Sequence, residues 1–141
     1  MIHRSASKAV IKRTETKLEL ENASGRKVII AFSEDPDISI TEKTSSTSTR
    51  KIIAIVIKGG TDQSNIWNRL GEAEKSPQSA KQLGFVEFWT IYNVGTLDEK
   101  KAREKSPTTH RFYSLPELSR GLGKEYEDFQ NRIASLVGIR V

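Results

Sequence analysis

The hydrophobic pattern turns on residues 52–57, IIAIVI, six apolar and mostly β-branched residues with no polar alternation. Such a run predicts a strand buried on both faces. It ends on Lys58, followed by Gly59-Gly60 and a polar turn in which Thr61 or Ser64 can cap a helix over about 65–83. Ile66, Leu70, Ala73 and Ala80 supply the buried side of that helix, and Pro77 predicts a kink or break near Ser76. Upstream, Val10, Ile11 and Leu18 among Glu and Lys form a partial amphipathic stripe, predicting a helix over 4–21 that stops at the polar residues 22–25. Residues 28–32 and 38–41 predict short strands around an acidic turn, and the TSSTST run at 44–49 a loop tip. Downstream, FVEFWTIY at 85–92 predicts a strand, 97–105 a short charged helix and 106–111 a loop. Residues 115–136 predict a last helix, broken at 121–123, with Phe129, Ile133 and Leu136 on one stripe. Three or four strands with helices on both faces give an α/β fold, a mixed central sheet flanked by helices. With no repeat and no linker, residues 1–141 are expected to form one domain.

Composition narrows the partners. The chain has 141 residues, 35% hydrophobic and 29% charged, with a formal charge of +5. That balance favours polyanions without choosing among DNA, RNA and membrane surfaces. No apolar run approaches the ~18 residues of a membrane span, and residues 1–15 carry no apolar signal core, so a cytoplasmic protein without a membrane partner is expected. The chain has no cysteine, and its two histidines, His3 and His110, are isolated, which argues against a zinc site.

Two positions stand out chemically. Lys58 closes a buried strand, which is costly unless the ammonium has an anionic partner or a task. About twenty residues earlier, Pro36-Asp37 leads into the second short strand, and Glu72 follows Lys58 after thirteen intervening residues. Taken alone, the pair also reads as a Pro-Asp turn and a snorkelling lysine. With Gly59-Gly60-Thr61-Asp62, Asn65, the run from Asn68 to Ser76 (NRLGEAEKS), Phe88-Trp89-Thr90-Ile91 and Ser106-Pro107-Thr108-Thr109, the chain resembles the PD-(D/E)xK nucleases. Within them it is similar to the XcyI group of type II restriction endonucleases, which cut CCCGGG-type sites. The resemblance covers roughly residues 18–138. It implies a restriction-endonuclease-like core and a second acid moved onto the helix after the lysine strand.

The resemblance also implies an activity: Mg²⁺-dependent hydrolysis of double-stranded DNA at a specific GC-rich site, by a homodimer if that site is palindromic. It assigns catalysis to Asp37, Lys58 and Glu72, and Mg²⁺ ligation to Asp37, the carbonyl of Ile57 and Glu72. Glu74 is an alternative second acid. Residues 72 and 74 differ by about 200° around a helix, so only one can face the site. Glu19 and Glu21 could add a carboxylate from a first helix, although solvated helix charges are the plainer reading. Asp62 reads better as a cap than as a ligand. Arg69, Asn65 and Asn68 are candidate base readers, arginine on guanine being the commonest specific contact. Lys75, Arg50 and Lys51 are candidate phosphate contacts, as are Lys81, Lys100, Lys101, Arg103, Lys105 and Arg111, each also readable as a solvated surface charge. Trp67 and Trp89 are expected in the core.

Two departures from the family pattern carry weight. Val56 stands where most of the superfamily has an acid, and the chain is considerably shorter than such enzymes usually are. These imply a carboxy-terminal part, a split product or a decayed copy. The alternative function is therefore a catalytically inactive, truncated homologue that only binds DNA.

Overall fold

The computed structural model describes residues 10–34, 36–58, 74–93 and 98–139. They form one mixed sheet of seven strands in sequence order: β1 (Val10–Arg13), β2 (Lys17–Glu21), β3 (Lys27–Phe32), β4 (Ile38–Lys43), β5 (Thr49–Lys58), β6 (Glu87–Tyr92) and β7 (Arg111–Ser114). The first five pair antiparallel as a meander, whereas β5–β6 and β6–β7 are parallel. Parallel neighbours need crossovers, and these carry α1 (Lys75–Gln82) and α2 (Glu99–Lys105). The short α3 (Leu115–Ser119) and the longer α4 (Lys124–Val137) follow β7. The sheet and its flanking helices bear out the expected α/β class. No helix among the described residues is long and apolar enough to cross a membrane.

The strand alternation sorts side chains onto two faces. One face collects Leu20, Val28, Ile40, Ile53, Ile55, Trp89, Ile91 and Tyr113, and α4 covers it with Phe129, Ile133, Leu136 and Val137. Trp89, fully buried, packs against Tyr113 and Phe129 with ring centroids 5.4 and 5.6 Å away. The opposite face over the parallel strands is closed by α1, where Ala80 meets Ala54, Phe85 and Phe88. β5 is thus buried from Ile52 to Val56 because both of its faces are covered.

One expectation needs correcting. Residues 10–13 and 17–21 are strands, not parts of a helix over 4–21. The KLELE run of β2 alternates strictly, so its leucines face one way and its charges the other, a period of two that competes with the weaker helical stripe. Glu19 and Glu21 consequently lie on a strand, and Glu19 pairs with Lys27 at 3.1 Å. Strand β7 takes in Arg111, the last residue of the expected loop, and residues 112–114, for which no element was expected; four residues are too few for a periodic signal. Pro77 falls in the first turn of α1, where a proline costs no intrahelical bond; the part of the expected helix before residue 74 lies outside the described residues. The break in the last helix is borne out at residues 120–123, between α3 and α4.

Far from Lys58, a polar hub ties the meander to α4. Buried Asn22 accepts from the amides of Ser24 (3.0 Å) and Arg26 (2.9 Å) and donates to the Val137 carbonyl (3.0 Å) and to a carboxylate oxygen of buried Glu42. The other Glu42 oxygen makes no hydrogen bond but faces the guanidinium groups of Arg50 at 3.3 Å and Arg26 at 3.8 Å. Gly138 permits the left-handed C-cap (φ 77°) that lets its carbonyl meet the Ala23 amide at 2.8 Å. Asn22→Ala leaves the Val137 carbonyl and part of the Glu42 carboxylate unsatisfied. It should lower stability by about 1–3 kcal/mol, read as a lower urea midpoint at unchanged m.

Candidate active site

The site is built where β4 begins and β5 ends. Ile38 pairs with Ile55, so the antiparallel register brings Asp37 to the end of β5. The turn before β4 sets its orientation. The Ser33 amide donates to the Asp37 carbonyl (3.0 Å) and the Ser33 hydroxyl to the Pro36 carbonyl (2.8 Å). With its carbonyl turned into that turn, Asp37 meets β5 through its side chain instead. Its Oδ2 accepts from the Ile57 amide at 2.7 Å. The N–H and C=O of one strand residue point to the same side, so the Ile57 carbonyl shares the Asp37 side of β5. The other carboxylate oxygen carries no hydrogen bond from a described residue.

Lys58 follows as the last residue of β5, half-buried, paired in register with Tyr92 of β6. Its carbonyl accepts from the Asn93 amide at 3.1 Å. The site therefore has neighbours, Tyr92 and Asn93, that lie more than thirty positions away in the chain and that no local pattern flags. Val56 is buried (4% exposed) opposite Thr90 and contributes packing but no ligand.

Glu72, Arg69, Asn65, Asn68, Asp62, Trp67 and the Gly59-Gly60 pair lie outside the described residues. Glu74, the alternative second acid, is described and is engaged elsewhere. Its Oε1 accepts from the Thr108 amide (2.9 Å) and the Ser106 hydroxyl (3.1 Å), and its Oε2 from the Thr108 hydroxyl (2.6 Å) and Gln78 Nε2 (2.7 Å). Burial pushes this carboxyl up, but the Thr108 hydroxyl and amide, Gln78 and Ser106 outweigh that and hold it below its usual value. A hydroxyl relay continues from Ser106 to Thr109 (2.8 Å) and from Thr109 to Thr90 (3.0 Å), all three fully or almost fully buried. Because Ser106 donates to Glu74, Thr109 must donate to Ser106, and Thr90 to Thr109. One carboxylate thus orients the whole chain of hydroxyls, down to the residue beside Val56.

The basic candidates are scattered. Arg50 is paired with Glu42 at 3.3 Å, and Lys51 Nζ donates to the Leu83 carbonyl at 2.9 Å. Both sit at the start of β5, roughly 25 Å from Lys58 at about 3.3 Å per strand residue. Lys75 is exposed at the start of α1. Arg103 bonds Glu99 (3.2 Å) and the His110 carbonyl (3.1 Å) and lies over the Phe112 ring.

The ends of the parallel strands also form an acidic cleft of about 260 Å³, lined by Tyr92, Glu99, Phe112, Tyr113, Glu125 and Asp128. Glu125 Oε1 accepts from the Ser114 amide (2.7 Å), and the Tyr113 hydroxyl donates to Asp128 (2.7 Å). Burial, then repulsion from Glu117, Glu99 and Asp128, raises the Glu125 carboxyl against the pull of the Ser114 amide. Burial, then Glu125, Glu99 and Glu117, pushes the Tyr92 phenol up to about 12. Among the described residues no three acids or imidazoles stand together in a way that could hold an ion. What the Asp37 edge offers is oxygen donors, with no imidazole or thiolate, and such a set suits a hard cation.

The family model described as the XcyI restriction endonuclease matches residues 1–140. The chain is 54% identical over 125 residues to the type II restriction enzyme XcyI of Xanthomonas campestris pv. cyanopsidis, covering 89% of this chain and 38% of that enzyme. It is 49% identical over 139 residues to the type II restriction enzyme Cfr9I of Citrobacter freundii, covering 99% and 42%. The chain thus spans about two-fifths of the length of these relatives. No solved structure matches it.

The raised Glu125 carboxyl has a consequence for stability. An acid whose native pKa lies above its unfolded value opposes folding once ionised, so stability falls as pH rises from about 4.5 through the native value. Glu125→Gln, which keeps an acceptor for the Ser114 amide, should raise the melting temperature at pH 7. The gain should vanish below about pH 4, where the wild-type carboxyl is protonated in both states. Scanning calorimetry across that range checks both halves.

Proposed function

The chain belongs to the XcyI restriction endonuclease family, and from that premise we propose that it is the catalytic part of a type II restriction endonuclease. It hydrolyses phosphodiester bonds of double-stranded DNA at a specific GC-rich site, of CCCGGG type, with Mg²⁺ as cofactor. Residues 1–141 act as one nuclease-like domain in the cytoplasm, and a palindromic target calls for a homodimer, one site per strand. The observation that carries this reading is the bond from the Ile57 amide to Asp37 Oδ2 at the strand end that also bears Lys58.

In this reading Asp37, the Ile57 carbonyl and Glu72 hold Mg²⁺, all through oxygen. The ion, when bound, acidifies a water and offsets charge on the phosphate. Asp37 uses one oxygen to fix the backbone of Ile57 and so aims that carbonyl beside its second oxygen. Lys58 places a positive charge next to the phosphate and takes part in moving the proton released by the water. The water oxygen forms a bond to phosphorus, the bond to the leaving oxygen breaks, and the leaving oxygen takes up a proton. Arg69, Asn65 and Asn68 read bases, and Lys75 holds a phosphate. Arg50 and Lys51 complete the phosphate set, each only by exchanging its present partner for DNA. The net charge of +5 supports a polyanionic substrate.

Purified protein with Mg²⁺ should cut duplex DNA at a CCCGGG-like site. Asp37→Ala and Lys58→Ala should each lower cleavage about a thousandfold or more, while Val56→Ala leaves it within a few-fold of the parent. Cleavage that survives in the Asp37 variant removes this site. Salt-sensitive duplex binding without cutting, in Mg²⁺ and in Mn²⁺ alike, removes the enzymatic reading altogether.

A further inference from the structure

We propose that the acidic cleft at the ends of β6 and β7 is a recognition pocket for the guanidinium of an arginine side chain carried by another polypeptide segment. This goes beyond the nuclease reading and does not depend on it. The cleft holds about 260 Å³ and is lined by three aromatic rings, Tyr92, Phe112 and Tyr113, and three acids, Glu99, Glu125 and Asp128. The Tyr92 hydroxyl is the telling group. A buried tyrosine normally finds a hydrogen-bond partner, as Tyr113 does in Asp128 at 2.7 Å. Tyr92 is only 7% exposed, yet its hydroxyl has no such partner among the described residues. The charges that act on it come from Glu125, Glu99 and Glu117, all of them acids. A phenol left unpaired in a negative field suits a ligand that brings both a hydrogen-bonding group and a positive charge.

The acids leave acceptors open. Glu125 Oε1 takes the Ser114 amide (2.7 Å) and Glu99 Oε1 takes Arg103 (3.2 Å), while Asp128 uses one oxygen for Tyr113 and faces Arg132 at 3.7 Å with the other. Glu125 Oε2, Glu99 Oε2 and the Tyr92 hydroxyl carry no hydrogen bond from a described residue. They do not converge on one point: among the described residues no three acids stand together as an ion needs. A planar guanidinium suits such a lining, because its N–H donors spread outward to separate acceptors while its faces stack on aromatic rings. The chain already holds one guanidinium in this manner beside the cleft, where Arg103 pairs with Glu99 and lies 5.5 Å over the Phe112 ring. A lysine ammonium, compact and strongly hydrated, matches spread acceptors less well. Free arginine brings a carboxylate that the same acids repel, so the side chain is presented from within a polypeptide.

The experiment titrates Nα-acetyl-arginine amide into the isotope-labelled full chain and follows two backbone amides by NMR: Ser114, which is bonded to Glu125, and Asn93, next to Tyr92. Nα-acetyl-lysine amide, free arginine and potassium chloride at matched ionic strength are titrated in parallel. The capped arginine should shift both amides saturably, with a dissociation constant of about 1–10 mM, as for a single anchoring side chain. The capped lysine and free arginine should bind at least about fivefold more weakly, and potassium chloride should give no saturable shift. Glu125→Gln keeps the acceptor for Ser114 and removes the charge; it should weaken the capped arginine about tenfold. Tyr92→Phe removes only the unpaired hydroxyl and should weaken it about three- to tenfold; it carries the test if Glu125→Gln does not fold. No saturable shift, the same response to potassium chloride, or parental affinity in the folded variants overturns the pocket. Equal affinity for the capped lysine overturns its preference for guanidinium, and equal or tighter binding of free arginine overturns the polypeptide source.

Discussion

A backbone amide at the end of a largely buried strand needs a partner, and in β5 the partner of Ile57 is a side chain. The turn at residues 33–37 draws the Asp37 carbonyl away to Ser33, so the β4–β5 ladder is completed by the Asp37 carboxylate. A charged acceptor makes the stronger kind of hydrogen bond. The same bond holds the one acid at this edge among the described residues against the strand that ends in Lys58. Sheet closure and the placing of Asp37 beside the end of β5 are thus a single interaction, set by where the meander stops pairing.

The molecule handles two further buried carboxylates in different ways. Glu42 accepts from Asn22 through one oxygen and faces two guanidiniums, without a hydrogen bond, through the other, while Asn22 ties the outer meander to the C-terminal helix. Glu74 is satisfied by neutral donors alone, three of them from a loop. The first arrangement fastens the scaffold far from Lys58; the second fastens the crossover between β5 and β6. Removing either acid would strand several donors, which is why a buried polar group is best understood through its whole set of partners.

Charge is distributed unevenly over the parallel half of the sheet. The overall charge is positive, yet the cleft at the ends of β6 and β7 gathers Glu99, Glu125 and Asp128. Mutual repulsion and burial there raise Glu125 and Tyr92. Phosphate is repelled by such a cleft unless a cation intervenes.

Much of this was readable from the chain alone, for identifiable reasons. The doubly buried β5, the strands at 28–32 and 38–41, β6 and the divided last helix follow from local runs of apolar residues and from Gly121 and Gly123, signals that a few neighbours suffice to set. The family too was legible, because its short motifs recur in order along nearly the whole chain. The meander's first two strands were not, since an alternating LEL and a loose helical stripe compete until pairing with β3 decides between them. Nor was β7, whose four residues become a strand only beside β6. The fate of Glu74 was beyond sequence altogether, because its partner Thr108 lies thirty-four positions away. Local pattern determined which segments fold and what they resemble; long-range pairing alone decided that the Glu74 carboxylate is committed to a loop, because hydrogen-bond partners are chosen in space.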